Sequence, residues 1–150
     1  MVKRNCKSYA GKIIAHRRTV VNKNVVLGHN VNFNGMIITP GGNVVIGNNF
    51  HSGCECMIIT AYHNYDAGDA IPYDDSIVCR DVTIEDNVWL GNRVIILAGI
   101  TIGEGAVIQA GSVVTNDIPA LAVAGGHPAR VFKYRNREHY YRLKELKKFN

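Results

Sequence analysis

Within this 150-residue chain, the side chains best suited to chemistry gather in one stretch, IITAYHNYDAGDAIPYDDSIV, residues 58–78. His63 stands near its start, followed by Asp66, Asp69, Asp74 and Asp75. An imidazole ordinarily titrates at about 6.5, so His63 can take a proton at neutral pH and is a candidate general base. A lone histidine is more often structural than catalytic, and the four aspartates read first as solvated loop acids that can also meet sugar hydroxyls or an amino group. The thiols offer less. Cys6, Cys54, Cys56 and Cys79 form no C-x-x-C pair and have no secretory context, so they are expected to be reduced and partly buried.

Charge is segregated along the chain. Residues 1–23 hold seven Lys or Arg and no acid, residues 24–129 hold two bases and ten acids, and residues 130–150 hold eight bases and two acids. Basic ends can serve nucleic acid, but no nucleic-acid-binding module accompanies them, and a solvated helix is the plainer use of the last stretch. The N-terminus, MVKRNCKSYAGK, lacks the apolar block of a signal peptide, and no run of about eighteen apolar residues could cross a bilayer. A single cytoplasmic domain, with no membrane insertion, is the expectation.

What would position His63 is a repeat. Ile84, Leu90, Ile96, Ile102, Ile108 and Val114 recur every six residues, with a second series two residues earlier at Val82, Val88, Val94, Ile100, Ala106 and Ser112. About a quarter of the chain is Val, Ile or Leu, so six such hits arise by chance on the order of a few times in ten thousand, and the period is real. Two inward residues flanking an outward one make a short strand. Asn24, Asn30, Gly42, Asn49, Asn87, Gly99, Gly105 or Gly111 follows at each corner, residue types that tolerate positive φ. The register extends back through Ala15, Val21, Leu27, Phe33 and Thr39, slips by one at Pro40-Gly41-Gly42, and resumes at Ile46, Ser52 and Ile58. Three hexads per turn give about five coils of a triangular parallel β-helix, roughly 24 Å tall.

The period breaks between Ile58 and Val78, which makes 59–77 an inserted loop. A solenoid gains no core from such an excursion, and an excursion from a solenoid is a usual place for binding and chemistry. Residues 115–150 form an exit loop, marked by Pro119 and Gly125-Gly126, and then a helix with Tyr140, Leu143 and Leu146 at helical spacing. That helix is expected to cap the open end of the prism.

The run IEDNVWLGNRVIILAGITIGEGAVIQAGSVVTNDIPALAVAGGHPARV, 84–131, resembles the C-terminal signature of hexapeptide-repeat acetyltransferases, most of all the maltose and galactoside O-acetyltransferases and polysaccharide-modifying relatives. The resemblance covers roughly residues 25–135. It implies a left-handed coil, a homotrimer with active sites between subunits, acetyl-CoA as co-substrate with no metal, and a sugar or surface-polysaccharide precursor as acceptor. In that family the catalytic histidine follows an I-G-x-N corner at a fixed distance. Here Ile46-Gly47-Asn48-Asn49 leads without a gap to His63, which implies general-base attack of an acceptor hydroxyl on the thioester.

By the same resemblance, the oxyanion and thioester position falls on Asn92, after Trp89-Leu90-Gly91. The N-F-N stretch puts Asn34 on the acceptor side, with Tyr62 and Asp66 of the inserted loop. Trp89, Gly91, Ala110, Thr115 and Arg130 fall along the coenzyme A groove, with Lys133 as a second base near the 3′-phosphate. Asn116 stands where many relatives have lysine. Those relatives also carry a helical N-terminal segment, whereas hexads here begin by about Ile13. Competing readings are an N-acetyltransferase of an amino sugar nucleotide, a xenobiotic acetyltransferase, a γ-class carbonic anhydrase and a structural solenoid. The six histidines include no pair five apart of the kind the anhydrase uses.

Overall fold

The computed structural model describes residues 1–150, which wind into a three-faced parallel β-helix. All six inner pairs expected from Val82 to Val114 are buried, and the most exposed of them, Ile100, is only 6% accessible. Three hexads return the chain to the same face one rung on, so that Trp89 pairs in parallel with Val107 and Ile95 with Val113.

The first face stacks Ser8–Tyr9, Val25–Leu27, Val44–Ile46, Val82–Ile84 and Thr101–Ile102. The second stacks Ile13–His16, the starts of Val31–Ile38 and His51–Ile58, then Trp89–Leu90, Val107–Ile108 and Ala122–Gly126. Both long strands bend onto the third face, where Ile95–Ile96 and Val113–Val114 continue the stack.

Left-handed corners hold the faces together. Asn30, Asn49 and Asn87 sit at φ of 58°, 52° and 62° between the first and second faces, and Gly105 continues the column at 69°. The Asn30 Nδ2 donates to Asn49 Oδ1 at 3.1 Å, and Asn49 Nδ2 donates to Asn87 Oδ1 at 2.9 Å, so each amide is satisfied by the next rung. Between the second and third faces the column is Arg17, Gly35, Glu55, Arg93 and Gly111. A non-glycine residue there costs roughly 1–2 kcal/mol, whereas each large aliphatic side chain buried inside contributes about 1.5–3 kcal/mol, so the core outweighs its corners. Asn24 and Gly42 do not adopt positive φ; Gly41 does, at 137°.

Several positions differ from the sequence expectation. The first face is already occupied at Ser8–Tyr9, ahead of Ile13, after a short helix Val2–Asn5. Ala15 aligns with buried Phe33 but is exposed, because the first rung has no rung beyond it to cover its interior. The single slip at Pro40–Gly42 is really two. One residue is missing at the Asn34–Gly35 corner, so Ile38 and not Thr39 faces inward opposite Ile58, and two are added before Val44. The inward series resumes at Val82, since Val78 pairs with Tyr62 in a hairpin of its own, and the excursion is one hexad longer than the period assigned.

The open end of the last rung is covered by an antiparallel hairpin, Ala122–Gly126 with Ala129–Tyr134, whose Ala122, Ala124 and Ala129 are buried. The C-terminal helix, Arg137–Glu145, is instead strapped along the asparagine corner. Asn136 caps it, its side chain accepting from the His139 N–H at 2.8 Å. Buried Tyr140 donates to Glu104 at 2.8 Å and accepts from Asn87 Nδ2 at 2.9 Å, and Lys144 pairs with Glu104 at 2.6 Å. Partial burial pushes the Glu104 carboxyl up, but the bonds from Lys144, Tyr140 and Asn87 outweigh it and leave the carboxyl below its usual range. This tether is therefore complete above the ordinary glutamate value of 4.5 and lost as pH falls through the lower folded value. Glu104→Gln at neutral pH is expected to speed amide exchange in residues 137–145 several-fold, leaving the inner strands protected, as read by hydrogen-exchange mass spectrometry.

Candidate active site

The excursion is anchored by its own two strands, Ala61–His63 against Ile77–Cys79, with His63 opposite Ile77. It leaves the prism at the edge between the third and first faces. Asp74 organises its tip, accepting from the N–H groups of Asp69 at 3.0 Å and Ser76 at 2.9 Å and from the Ser76 hydroxyl. The Ser76 hydroxyl, and then these amides, hold the Asp74 carboxyl below its usual range. One residue before Asp74, the Tyr73 ring lies flat on His63, with centroids 3.8 Å apart and planes 13° apart. Stacking thus fixes the plane of an exposed imidazole, and no side chain of this chain occupies its nitrogens.

Tyr62 alternates to the opposite face of the hairpin, where its hydroxyl accepts from Arg80 Nε at 3.4 Å. It ties the excursion to the prism and does not flank His63. Asp66 is exposed in the loop.

A second set lines the edge between the second and third faces. In register, His16 is beside Asn34, and Asn34 is beside Cys54. The Cys54 N–H donates to Asn92 Oδ1 at 2.8 Å, and Asn34 Nδ2 donates to the Ser52 carbonyl at 3.0 Å. An amide N–H can only donate and a carbonyl can only accept, so both side-chain amides are fixed in orientation. Asn92 therefore presents its NH₂ outward and Asn34 its carbonyl oxygen. Gly91 packs so closely that a Cβ would lie 2.5 Å from the Ala110 nitrogen, and Trp89 stands on the second face, 57% exposed. Cys54 lies between the two asparagines, a place the sequence does not reveal because nothing in the hexad pattern marks a corner residue as part of a site.

A third group lies at the last rung. The Thr115 hydroxyl donates to Asn116 Oδ1 at 3.0 Å, and Arg130 Nη1 donates to the same oxygen at 3.4 Å and to the Ala129 carbonyl at 3.1 Å. Asn116 thus holds the arginine. Lys133 is exposed three residues on and shares no hydrogen bond with this group.

His63, Thr115 and Asn116 thus share one edge of the prism, while Asn34, Gly91, Asn92 and Ala110 share another. One face separates them, and six residues of extended chain span about 15–20 Å. Within one chain His63 meets neither asparagine. A cleft of about 400 Å³ beside Trp89 under the C-terminal helix and another of about 390 Å³ beside Gly35 both lie away from His63.

A family model described as "Bacterial transferase hexapeptide (six repeats)" matches residues 81–116. A maltose O-acetyltransferase structure from Clostridium difficile 630 superposes with a TM-score of 0.79 at 37% identity, over 91% of this chain and 73% of that one. A structure of galactoside acetyltransferase in complex with coenzyme A gives a TM-score of 0.78 at 27% identity, over 93% and 70%. The galactoside O-acetyltransferase of Escherichia coli K12 is 35% identical over 127 residues, 71% of this chain and 62% of that protein. The chain spans between 41% and 62% of the length of the first curated relatives it matches.

Proposed function

Because the chain belongs to the hexapeptide-repeat acetyltransferases, we propose that it moves an acetyl group from acetyl-CoA to a hydroxyl of a sugar or surface-polysaccharide precursor, with His63 as general base. The observation that carries this reading is the division of the candidate residues between two edges of the prism. A homotrimer in which each hairpin reaches the facing edge of the next copy would assemble three identical sites.

In such a site, His63 takes the proton of the acceptor hydroxyl as its oxygen attacks the thioester carbonyl. The outward NH₂ of Asn92 donates to the developing oxyanion, which a carbonyl oxygen in that place would repel. Collapse breaks the carbon–sulfur bond, and the imidazolium returns its proton to the departing thiolate. The outward carbonyl oxygen of Asn34 suits a second acceptor hydroxyl. The face-to-face stack of Tyr73 on His63 holds the base without competing for its in-plane lone pair.

Arg130 and Lys133 are assigned to the 3′-phosphate of coenzyme A, with Thr115 and Ala110 along the same groove. Neutralising both is expected to raise the Kd for acetyl-CoA by about tenfold or more while changing that for 3′-dephospho-acetyl-CoA little, because only the former has the dianion to lose. Titration calorimetry with both ligands provides the test. Equal weakening of the two would remove the basic pair from the site.

A further inference from the structure

We propose that Arg17 and Arg18 bind an anionic group on the acceptor, a phosphate ester about one sugar ring from the acetylated hydroxyl. This rests on the acetyl-transfer reading above and names the class of acceptor for that same site.

The two guanidiniums stand unpaired. The chain has only two ion pairs, Arg93 with Glu55 at 2.8 Å and Lys144 with Glu104 at 2.6 Å. Glu55 is the one acid lining the cleft that Arg17 and Arg18 share with Gly35, Ile37 and Met57, and it is already engaged by Arg93. That cleft, of about 390 Å³, therefore presents net positive charge over an apolar floor. The Thr19 hydroxyl donates to the His16 carbonyl at 3.2 Å, which closes the turn bearing both arginines, and Arg17 holds a left-handed φ of 54° there.

Position along the edge assigns the cleft to the acceptor. Successive rungs bring His16-Arg17, Asn34-Gly35, Cys54-Glu55, Asn92-Arg93 and Ala110-Gly111 into line. Asn92 and Ala110, on the donor side, lie toward one end, Asn34 on the acceptor side, and Arg17 beyond it. Each rung advances about 4.8 Å, close to the width of a pyranose ring. A sugar held at Asn34 would put its next substituent against Arg17 and Arg18. Neutral hydroxyls have no use for two free guanidiniums, whereas a phosphate takes their planar forks in paired charge-assisted bonds. A hexose 1-phosphate or a sugar nucleotide carries the required phosphate.

The test is calorimetric binding of glucose, galactose and mannose 1-phosphates, and of the matching methyl hexosides, to the CoA-saturated protein and to an R17Q/R18Q variant. At least one phosphate is expected to bind about tenfold tighter than its methyl hexoside, and that advantage is expected to vanish in the variant, whose affinity for methyl hexosides stays within about twofold. UDP-hexoses in the same titration separate a nucleotide-linked phosphate from a simple ester. No advantage for any phosphate, or equal weakening of phosphates and methyl hexosides, overturns the proposal. So does dissociation of the variant by sedimentation, which would mean that the arginines hold the acidic hairpin of a second copy. Arginine-dependent phosphate binding without thiol release from acetyl-CoA would count against acetyl transfer and leave the anion site standing.

Discussion

His63→Ala is expected to lower kcat by about 10²–10⁴-fold, the usual contribution of a positioned general base, with little change in the affinity for acetyl-CoA. The side chain is exposed on the hairpin and contributes nothing to the inner stack, so the folded prism and its assembly should survive the substitution. The measurement is thiol release on an accepted sugar for both proteins. Near-normal turnover in the variant would pass the role of base to another group and leave His63 as a shaping residue of the loop.

Two inactive variants are expected to restore each other. Asn92→Ala removes a donor to the developing oxyanion and should cost about 10²–10³ in kcat, and His63→Ala costs at least as much. If each site takes its hairpin from one copy and its facing edge from the next, random mixing of equal amounts leaves about a quarter of the sites intact. Co-expressed, separately tagged variants should therefore recover about a quarter of normal activity, roughly 25-fold or more above either alone. Recovery indistinguishable from the parents would place His63 and Asn92 in the same chain's site and remove the shared-edge arrangement.

The hexad could be read from sequence because each face has only two inward positions, and nearly all of those are apolar. Every inner pair from Val82 to Val114 is buried as that logic requires. Thr39 was misplaced for a reason internal to the same logic. These prisms tolerate small hydroxyls inside, as buried Ser52 and Ser112 attest, so Thr39 and Ile38 competed evenly until register settled on Ile38. Val78 fell on the period by coincidence while pairing in the hairpin. The C-terminal helix was legible as a helix but not as a strap, because its periodicity does not reveal that Tyr140 and Lys144 converge on Glu104, a residue more than thirty positions earlier.

At the candidate site, residue types were legible and their arrangement was not. Asn34 and Asn92 look alike in sequence. Which atom each turns outward depends on the Ser52 carbonyl and the Cys54 amide, backbone groups whose alignment only the stacked rungs create. The Tyr73 stack on His63 depends likewise on how Asp74 folds the loop tip.

The hairpin carrying His63 leaves and rejoins the prism at one corner, its ends clamped by the Ala61 and Cys79 pairing. Its length is consequently invisible to the winding of everything after it. Adding or removing a hexad within a face would swing all later residues by a third of a turn and carry Thr115 to the wrong edge. Residues between Asn64 and Ser76 can change in number without any such rotation. The chain thereby separates two inheritances: a scaffold whose phase must be kept, and a graft that can be exchanged whole.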